Sequence, residues 1–416
     1  LYSGSLAFST MFDLPELFGM SQSAVIWLCV WSIGIIGIIY AIFGGLKAVA
    51  VSDLINAVGL MIGGLLIPFF GLSVIGNGSV MDGLNTLWNS NPEKFNAVGD
   101  VTSSIPFGTI FTGMMIAQIY YWGTNQSILQ RVFGAKNLAE GQKGMIAAAF
   151  VKFLIPVIVV LPGIIAWHVF EGNLENTDQA YPALVKKVLP TAFIGFFAAV
   201  LFGAVLSSFN SLLNSSATLF GSDLYKQNFN KNSTEKQSVK AGKIAGLILA
   251  LISMSIAPFI ANAPDGLFSY IQQALGSLSV PILAVVLTGI ISKRVPATGA
   301  KTVLIAGVLM YLFSLLYLGP NTIEAAVSEA TANGISNTNE IAIIKAKAYP
   351  HFLHVMGILF VINMLIMLIF RLVKPKKDEE IYIPQVTEII DTTPWKYTLP
   401  VGLFIVILVL ATYVIF

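Results

Sequence analysis

Residues 118–131 read QIYYWGTNQSILQR. Amides, hydroxyls and aromatic rings crowd around Gly123 inside a run, 107–129, that otherwise has the apolarity of a membrane-spanning helix. Lipid offers no partner to a free backbone N–H or C=O, so irregular backbone at that depth survives only where it is buried in protein or lines a wet cavity. The stretch therefore predicts a helix broken at mid-membrane, the device with which solute carriers build a site.

The rest of the chain supplies the membrane context. Of 416 residues, 56% are hydrophobic and 11% charged, with a mean hydropathy of +0.80, whereas soluble domains carry about 25% charged residues. Ten apolar runs are long enough to cross a hydrocarbon core of about 30 Å as helices: 24–43, 48–75, 107–129, 144–170, 190–221, 241–262, 266–292, 296–318, 350–373 and 396–416. Residues 1–12 read as the tail of a further helix, and the chain opens in mid-pattern on Leu1, so helices ahead of it are expected to be missing. The fold class is thus an all-α polytopic membrane protein.

Loop charges orient these spans, because lysine and arginine concentrate on the cytoplasmic side. Seventeen of the 23 fall in or beside the loops at 44–47, 130–143, 222–240, 293–295 and 374–395, and five in the opposite loops. The first set is predicted cytoplasmic, and Phe416 ends outside. The long external loops 76–106 and 319–349, rich in Asn, Ser, Thr and Gly, are expected to carry only short helices.

Several functional classes find no support. One cysteine, Cys29, excludes an internal disulfide and any thiolate metal centre. There is no HExxH, GxSxG or P-loop, so no enzyme is expected. His351 and His354 share a helix face, but two histidines without a third ligand read as an interfacial pair. No nucleic-acid partner is expected for a chain of net charge +2.

The spans do carry polar chemistry. In AVLSSFNSLLNSSATLF, 204–220, Ser207, Ser211 and Ser215 recur at every fourth residue, with Ser208, Asn210 and Asn214 beside them. Hydroxyl and carbonyl oxygens can replace the hydration shell of a hard monovalent cation; small-residue helix packing is the competing explanation. Lys152 lies about eight residues inside its expected span, roughly 12 Å at 1.5 Å per residue. A charge there faces a polar partner in the bundle or snorkels to the interface. Around Gly123, Gln118, Tyr120, Tyr121, Trp122, Thr124, Asn125 and Gln126 suit a sugar, whose C–H face stacks on a ring while its hydroxyls find amides. An aromatic belt at the membrane interface would explain the rings but not the amides. Gln272 and Gln273, after Ser269 and Tyr270, offer more amides at another helix end.

Taken in order, YAIFGGLKAVAVSDLINAV from Tyr40, IYYWGTNQSILQR, GAKNLAEGQKG and SSFNSLLNSSATLFGSDLYK resemble the sodium/solute symporter family, most closely its bacterial sodium/galactose (sodium/glucose) branch. The similarity covers essentially the whole chain. It implies a leucine-transporter-like five-plus-five inverted repeat, here lacking the first core helices, that imports a sugar such as galactose or glucose with sodium by alternating access. A bacterial inner-membrane location is implied too. Residues 1–318 would form the incomplete core, 319–349 an external loop and 350–416 two additional helices. The Ala204 carbonyl and the Ser207 and Ser208 hydroxyls would bind sodium, and Asp53 would lie on its cytoplasmic path. Tyr121, backed by Trp122, would gate the sugar, with Gln118, Lys152 and Gln272 bonding its hydroxyls and Phe268 forming an apolar wall.

Three positions depart from that branch: Gln118 stands where Asn is usual, Val51 where Trp is, and Asn56 where Gln is. Sialic acid, proline or pantothenate are the other solutes the family suggests, and a channel is the competing transport class. The first core helices, if absent, would hold the rest of both sites.

Overall fold

The computed structural model describes residues 1–174, 176–262, 266–377 and 391–415; side chains are not described at 42–50, 262, 414 and 415. Phe416, assigned outside by the charge rule, lies beyond the described residues.

In chain order the helices are α1 (Tyr2–Met11), α2 (Leu14–Phe18), α3 (Gln22–Ile75), α4 (Val80–Ser90), α5 (Gly113–Gly123), α6 (Gln126–Phe133), α7 (Leu138–Phe153), α8 (Leu161–Val169) and α9 (Ala180–Val188). They continue as α10 (Thr191–Leu219), α11 (Glu235–Ile256), α12 (Gly266–Ile291), α13 (Ala297–Phe313), α14 (Gly319–Ala332), α15 (Thr338–Ala348), α16 (Phe352–Val373) and α17 (Thr398–Ile415). Among the described residues, eight helical stretches are long and apolar enough to cross a membrane. The broken segment α5–α6 and the shorter α17 account for the other two expected spans. Loop 76–106 carries α4, and 319–349 carries α14 and α15, in keeping with its composition.

Two spans were expected where helical backbone runs unbroken through α3. Yet the hydroxyls of Tyr40 and Ser52, 12 residues apart, lie 2.8 Å from each other. Twelve residues of straight helix extend about 18 Å. The chain therefore turns back between Tyr40 and Ser52, and the arms 22–41 and 51–75 are each long and apolar enough to cross a membrane.

The chain divides into two compact units. The first comprises Leu1–Phe95, Lys143–Leu267 and Lys396–Thr412. Its main core joins Ile67, Leu87, Ile165, Leu184, Val185 and Phe197 from α3, α4, α8, α9 and α10. The second comprises Asn96–Gln142, Phe268–Trp395 and Tyr413–Phe416, with a core of Ile116, Val280, Leu283, Tyr311, Leu353 and Met356 from α5, α12, α13 and α16.

Helix α11 shows how small residues set the packing. Its inner row, Gly242, Gly246, Ala250 and Met254, is buried, while Ile244, Ile248, Ile252 and Ile256 stay about half exposed on the outer row. Both rows follow the four-residue helical spacing. An apolar row left open on a spanning helix suits lipid or a further helix rather than water.

Contacts between loop-proximal groups agree with the charge-based grouping of the loops into two ends. Within the first unit, Lys186 pairs with Asp13, His168 Nδ1 lies 3.1 Å from Asn91 Oδ1, and the Leu267 amide donates to Asp178. All six lie on the predicted external side. In the second unit, the Lys376 amide donates to the Arg294 carbonyl and that of Leu138 to the Asp391 carbonyl, at 2.8 and 3.2 Å, while the Trp395 amide donates to Gln142 Oε1. All six lie on the predicted cytoplasmic side.

Candidate functional site

The helix break falls where the polar stretch placed it, and its polar residues build it. Helix α5 ends at Gly123, where the Thr124 amide and hydroxyl both donate to the Tyr120 carbonyl, at 2.9 and 2.8 Å. Asn125 then caps α6, its Oδ1 accepting from the Ser127 amide at 2.9 Å and the Ser127 hydroxyl at 2.7 Å. Two freed ends of helix are thereby satisfied without lipid. Nothing crowds Gly123, where an added Cβ would meet open space; the threonine and asparagine, more than the glycine, make the break.

On α5, Trp122 Nε1 donates to Gln118 Oε1 at 3.2 Å, and the rings of Tyr121 and Trp122 meet edge to face, centroids 5.5 Å apart at 83°. Gln118 and Tyr121 are exposed. This gives two rings beside an amide, a surface able to stack on a solute and hydrogen-bond its hydroxyls. In the same unit, Phe268 is exposed and Gln272 reaches Met114 Sδ at 3.5 Å, a weak contact.

Lys152 belongs to the first unit, so the proposed solute contacts are divided, with Lys152 in one unit and the other five in the other. Its helix begins six residues earlier than the expected span, at Leu138, and α7 ends one residue after it. Pro156, which lacks an N–H, cannot donate to the Lys152 carbonyl, and the helix continues with π-helical spacing over Pro156–Val160. Such irregularities inside spans accompany functional sites.

The cation candidates lie together on α10 in the first unit. The serines separate into two kinds. Ser211 and Ser215 are buried and donate to the carbonyls of Ser207 and Ser211, each at 2.7 Å; these hydroxyls serve the helix itself, as the packing explanation holds. Ser207 instead donates across to the carboxylate of Asp53 on α3. A hydroxyl that gives its proton to a carboxylate keeps its lone pairs for a cation, and the nearby negative charge favours that cation. Ser208 is exposed, without a hydrogen bond among the described residues, and the Ala204 carbonyl lies one turn before it.

One contact had no sequence signal. Asn56, one turn from Asp53, sets its carboxamide on Gly203, where an added Cβ would lie 2.3 Å from Asn56 Oδ1. This fixes α3 against α10 beside the serine pair. Among the described residues no group of three His, Cys, Asp or Glu could hold a metal ion. His354 contacts the Thr112 hydroxyl at 3.0 Å, and His351 caps α16.

Residues 8–307 match the family described as the sodium:solute symporter family, and the chain belongs to it. The symporter YidK of Escherichia coli (strain K12) is 40% identical over 396 residues, covering 95% of this chain and 64% of that protein. The sodium/glucose cotransporter of Vibrio parahaemolyticus is 32% identical over 335 residues, covering 75% and 60%. This chain thus spans just under two thirds of the length of these relatives. A solved structure, a substrate-bound outward-open state of a Na+-coupled sialic acid symporter, shares the fold with a TM-score of 0.60 at 20% identity, covering 90% of this chain and 73% of that one. The all-helical, leucine-transporter-like fold class expected from the sequence is the one the chain has.

Proposed function

We propose that this protein is a sodium-coupled symporter that imports a neutral sugar such as galactose or glucose by alternating access in a bacterial inner membrane. The observation that carries the reading is the Ser207–Asp53 hydrogen bond. It selects, from a helix rich in serine, the hydroxyl that is polarised by a carboxylate and adjoins Ser208 and the Ala204 carbonyl. Sodium would bind to these three oxygens, with Asp53 as a charge beside them on its way to the cytoplasm. The sugar would meet Gln118, Tyr121 and Trp122, with Lys152, Phe268 and Gln272 as further contacts and Tyr121 as gate. The similarity to a sodium/glucose cotransporter supports the sugar. Residues 1–318 would be core, 319–349 an external loop and 350–416 additional helices. Sodium entry would be driven by its gradient plus about 2.3 kcal/mol per charge for each 100 mV of membrane potential.

A second reading, a carboxylated solute such as sialic acid, is favoured by one feature. Lys152 places a cation within the span Leu138–Val169, where it would pair with a carboxylate. Sodium-dependent counterflow with the full-length protein in proteoliposomes, comparing galactose, glucose, sialic acid and proline, separates the two. Exchange of galactose or glucose is the expected result; exchange of sialic acid alone would replace the sugar, and exchange without sodium would remove the symporter.

A further inference from the structure

A cleft of about 1030 Å³ opens between the C-terminal end of α10, with the π-helical Phe220–Phe229 that extends it, and the start of α11. Three lysines line it, Lys226, Lys231 and Lys243, against one carboxylate, Glu235. The charge rule puts this end of both helices at the cytoplasmic surface. The solute and sodium assignments use none of these residues.

At its inner end the cleft meets a smaller crevice of about 50 Å³, and Asn214, Ala217 and Lys243 line both. The crevice walls are otherwise apolar, among them Ile38 of α3, Leu213 of α10 and Leu247 of α11. Asn214 Nδ2 is buried there without a hydrogen-bond partner among the described residues. A buried N–H donor left unpaired is unfavourable, so the site gains from an acceptor brought by a ligand. Beyond it, Ile244 and Ile248 belong to the exposed apolar row of α11.

A cleft lined by cations, with a buried donor and an apolar crevice at its inner end and exposed apolar residues alongside, has the polarity profile of a phospholipid. We infer that this cleft binds an anionic phospholipid of the cytoplasmic leaflet, its phosphate between Lys226, Lys231 and Lys243 and accepting from Asn214, with the start of an acyl chain against Leu213 and Leu247. Basic pockets between spanning helices on the cytoplasmic side recognise such headgroups, and each lysine near an anionic surface adds to the attraction. Zwitterionic lipid, whose ammonium is repelled by the lysines, is excluded by the same charges.

The test compares phosphatidylglycerol with phosphatidylethanolamine by counting lipid molecules retained on the full-length protein in native mass spectrometry after detergent exchange. The variants are K226Q/K231Q and, as a control of equal charge change on the exposed side of the same region, K236Q/K240Q. The expected result is preferential retention of phosphatidylglycerol, weakened about tenfold in K226Q/K231Q and little changed in the control. Asn214→Leu tests the donor, and should weaken phosphatidylglycerol without affecting phosphatidylethanolamine. Equal retention of the two lipids, or equal loss in both lysine variants, overturns the proposal. So does full displacement by millimolar inorganic phosphate, which would make the cleft a site for a soluble anion. Lipid retention is read without transport, so a wrong solute or sodium assignment leaves this result standing.

Discussion

The Ser207 hydroxyl donates to the Asp53 carboxylate, joining α10 to α3 across 154 positions of sequence. Ser211 and Ser215, on the same helix, spend their protons on their own backbone. If Ser207 and Asp53 act as a unit on sodium, Ser207→Ala and Asp53→Asn each raise the sodium needed for half-maximal transport by about tenfold, about 1.4 kcal/mol. The double variant should be no worse than the worse single one, since either change already breaks the unit. Ser208→Ala, which removes a proposed ligand outside that bond, should raise the requirement further when added to either. Additive effects of Ser207→Ala and Asp53→Asn, in sodium-activation curves of the full-length protein, would separate the two residues.

Two glycines of α11 give opposite expectations one turn apart. A Cβ on Gly242 would stand 2.3 Å from the Ala217 carbonyl oxygen, which as backbone has no room to yield. At Gly246 the nearest atom would be the Ala217 Cβ at 3.5 Å, ordinary contact. Gly242→Ala should therefore destabilise by about 1–3 kcal/mol through overpacking. Gly246→Ala should be neutral or stabilising by up to about 1 kcal/mol, the helix-propensity gain of alanine over glycine. Thermal melts of the purified variants measure both.

The spans were legible because lipid forces every helix to declare itself in 20 or so apolar residues, and the break was legible because Thr124 and Asn125 have no other reason to sit there. Less was written in the pattern where the backbone stays hydrogen-bonded while changing course. The π-helical stretches at Pro156–Val160 and Phe220–Phe229 alter spacing without altering composition, whereas the return between Tyr40 and Ser52 falls where two apolar spans, 24–43 and 48–75, were expected. Charge placement predicts the sides, but no periodicity couples Asp53 to Ser207. That pairing joins residues far apart in sequence, and only the resemblance to the family singled out both. Serine spacing alone did not distinguish Ser207, turned toward α3, from Ser211 and Ser215, turned to their own helix.

The membrane orientation has a direct check. With the half-buried Cys29 replaced by serine, Ser336→Cys and Lys231→Cys each place one thiol in an exposed loop position. A membrane-impermeant maleimide added to intact cells should label Ser336→Cys and leave Lys231→Cys unlabelled until the membrane is opened. The reverse pattern would invert every side assignment, including that of the lysine cleft.

In the loop 76–106, which the charge rule places outside, Asp100 accepts hydrogen bonds from the Thr102 hydroxyl and amide, both at 2.8 Å, and from the Ser103 hydroxyl at 3.1 Å. These bonds, that from the Thr102 side chain foremost, favour the carboxylate and hold its pKa below the usual aspartate value. Because the folded pKa is the lower one, the turn is supported above about pH 4, where an unfolded aspartate is ionised. That support fades as pH falls through the folded value. The Thr102 amide should accordingly lose hydrogen-exchange protection at acid pH, and Thr102→Val should move the loss to higher pH. Protection independent of pH over this range would contradict the turn.

Within the second unit, the buried hydroxyl of Tyr311 has no hydrogen-bond partner among the described residues and lies where a Cβ on Gly276 would come within 2.6 Å of it. Tyr311 is 1% exposed, so water does not compensate that oxygen. Removing an unpaired buried polar atom while keeping the ring removes a desolvation cost of about 1–3 kcal/mol and opens no large cavity. Tyr311→Phe is therefore expected to be neutral or stabilising, where most core changes lose about 1 kcal/mol. Gly276→Ala should destabilise by about 1–3 kcal/mol, and part of that loss should return in the Gly276→Ala/Tyr311→Phe double variant, because the hydroxyl is the nearest obstruction. Full recovery is not expected, since the Tyr311 Cζ and Met356 Sδ would still lie 2.9 and 3.1 Å from the added carbon. Purely additive melting shifts would show that this hydroxyl does not set the approach of α12 to α13.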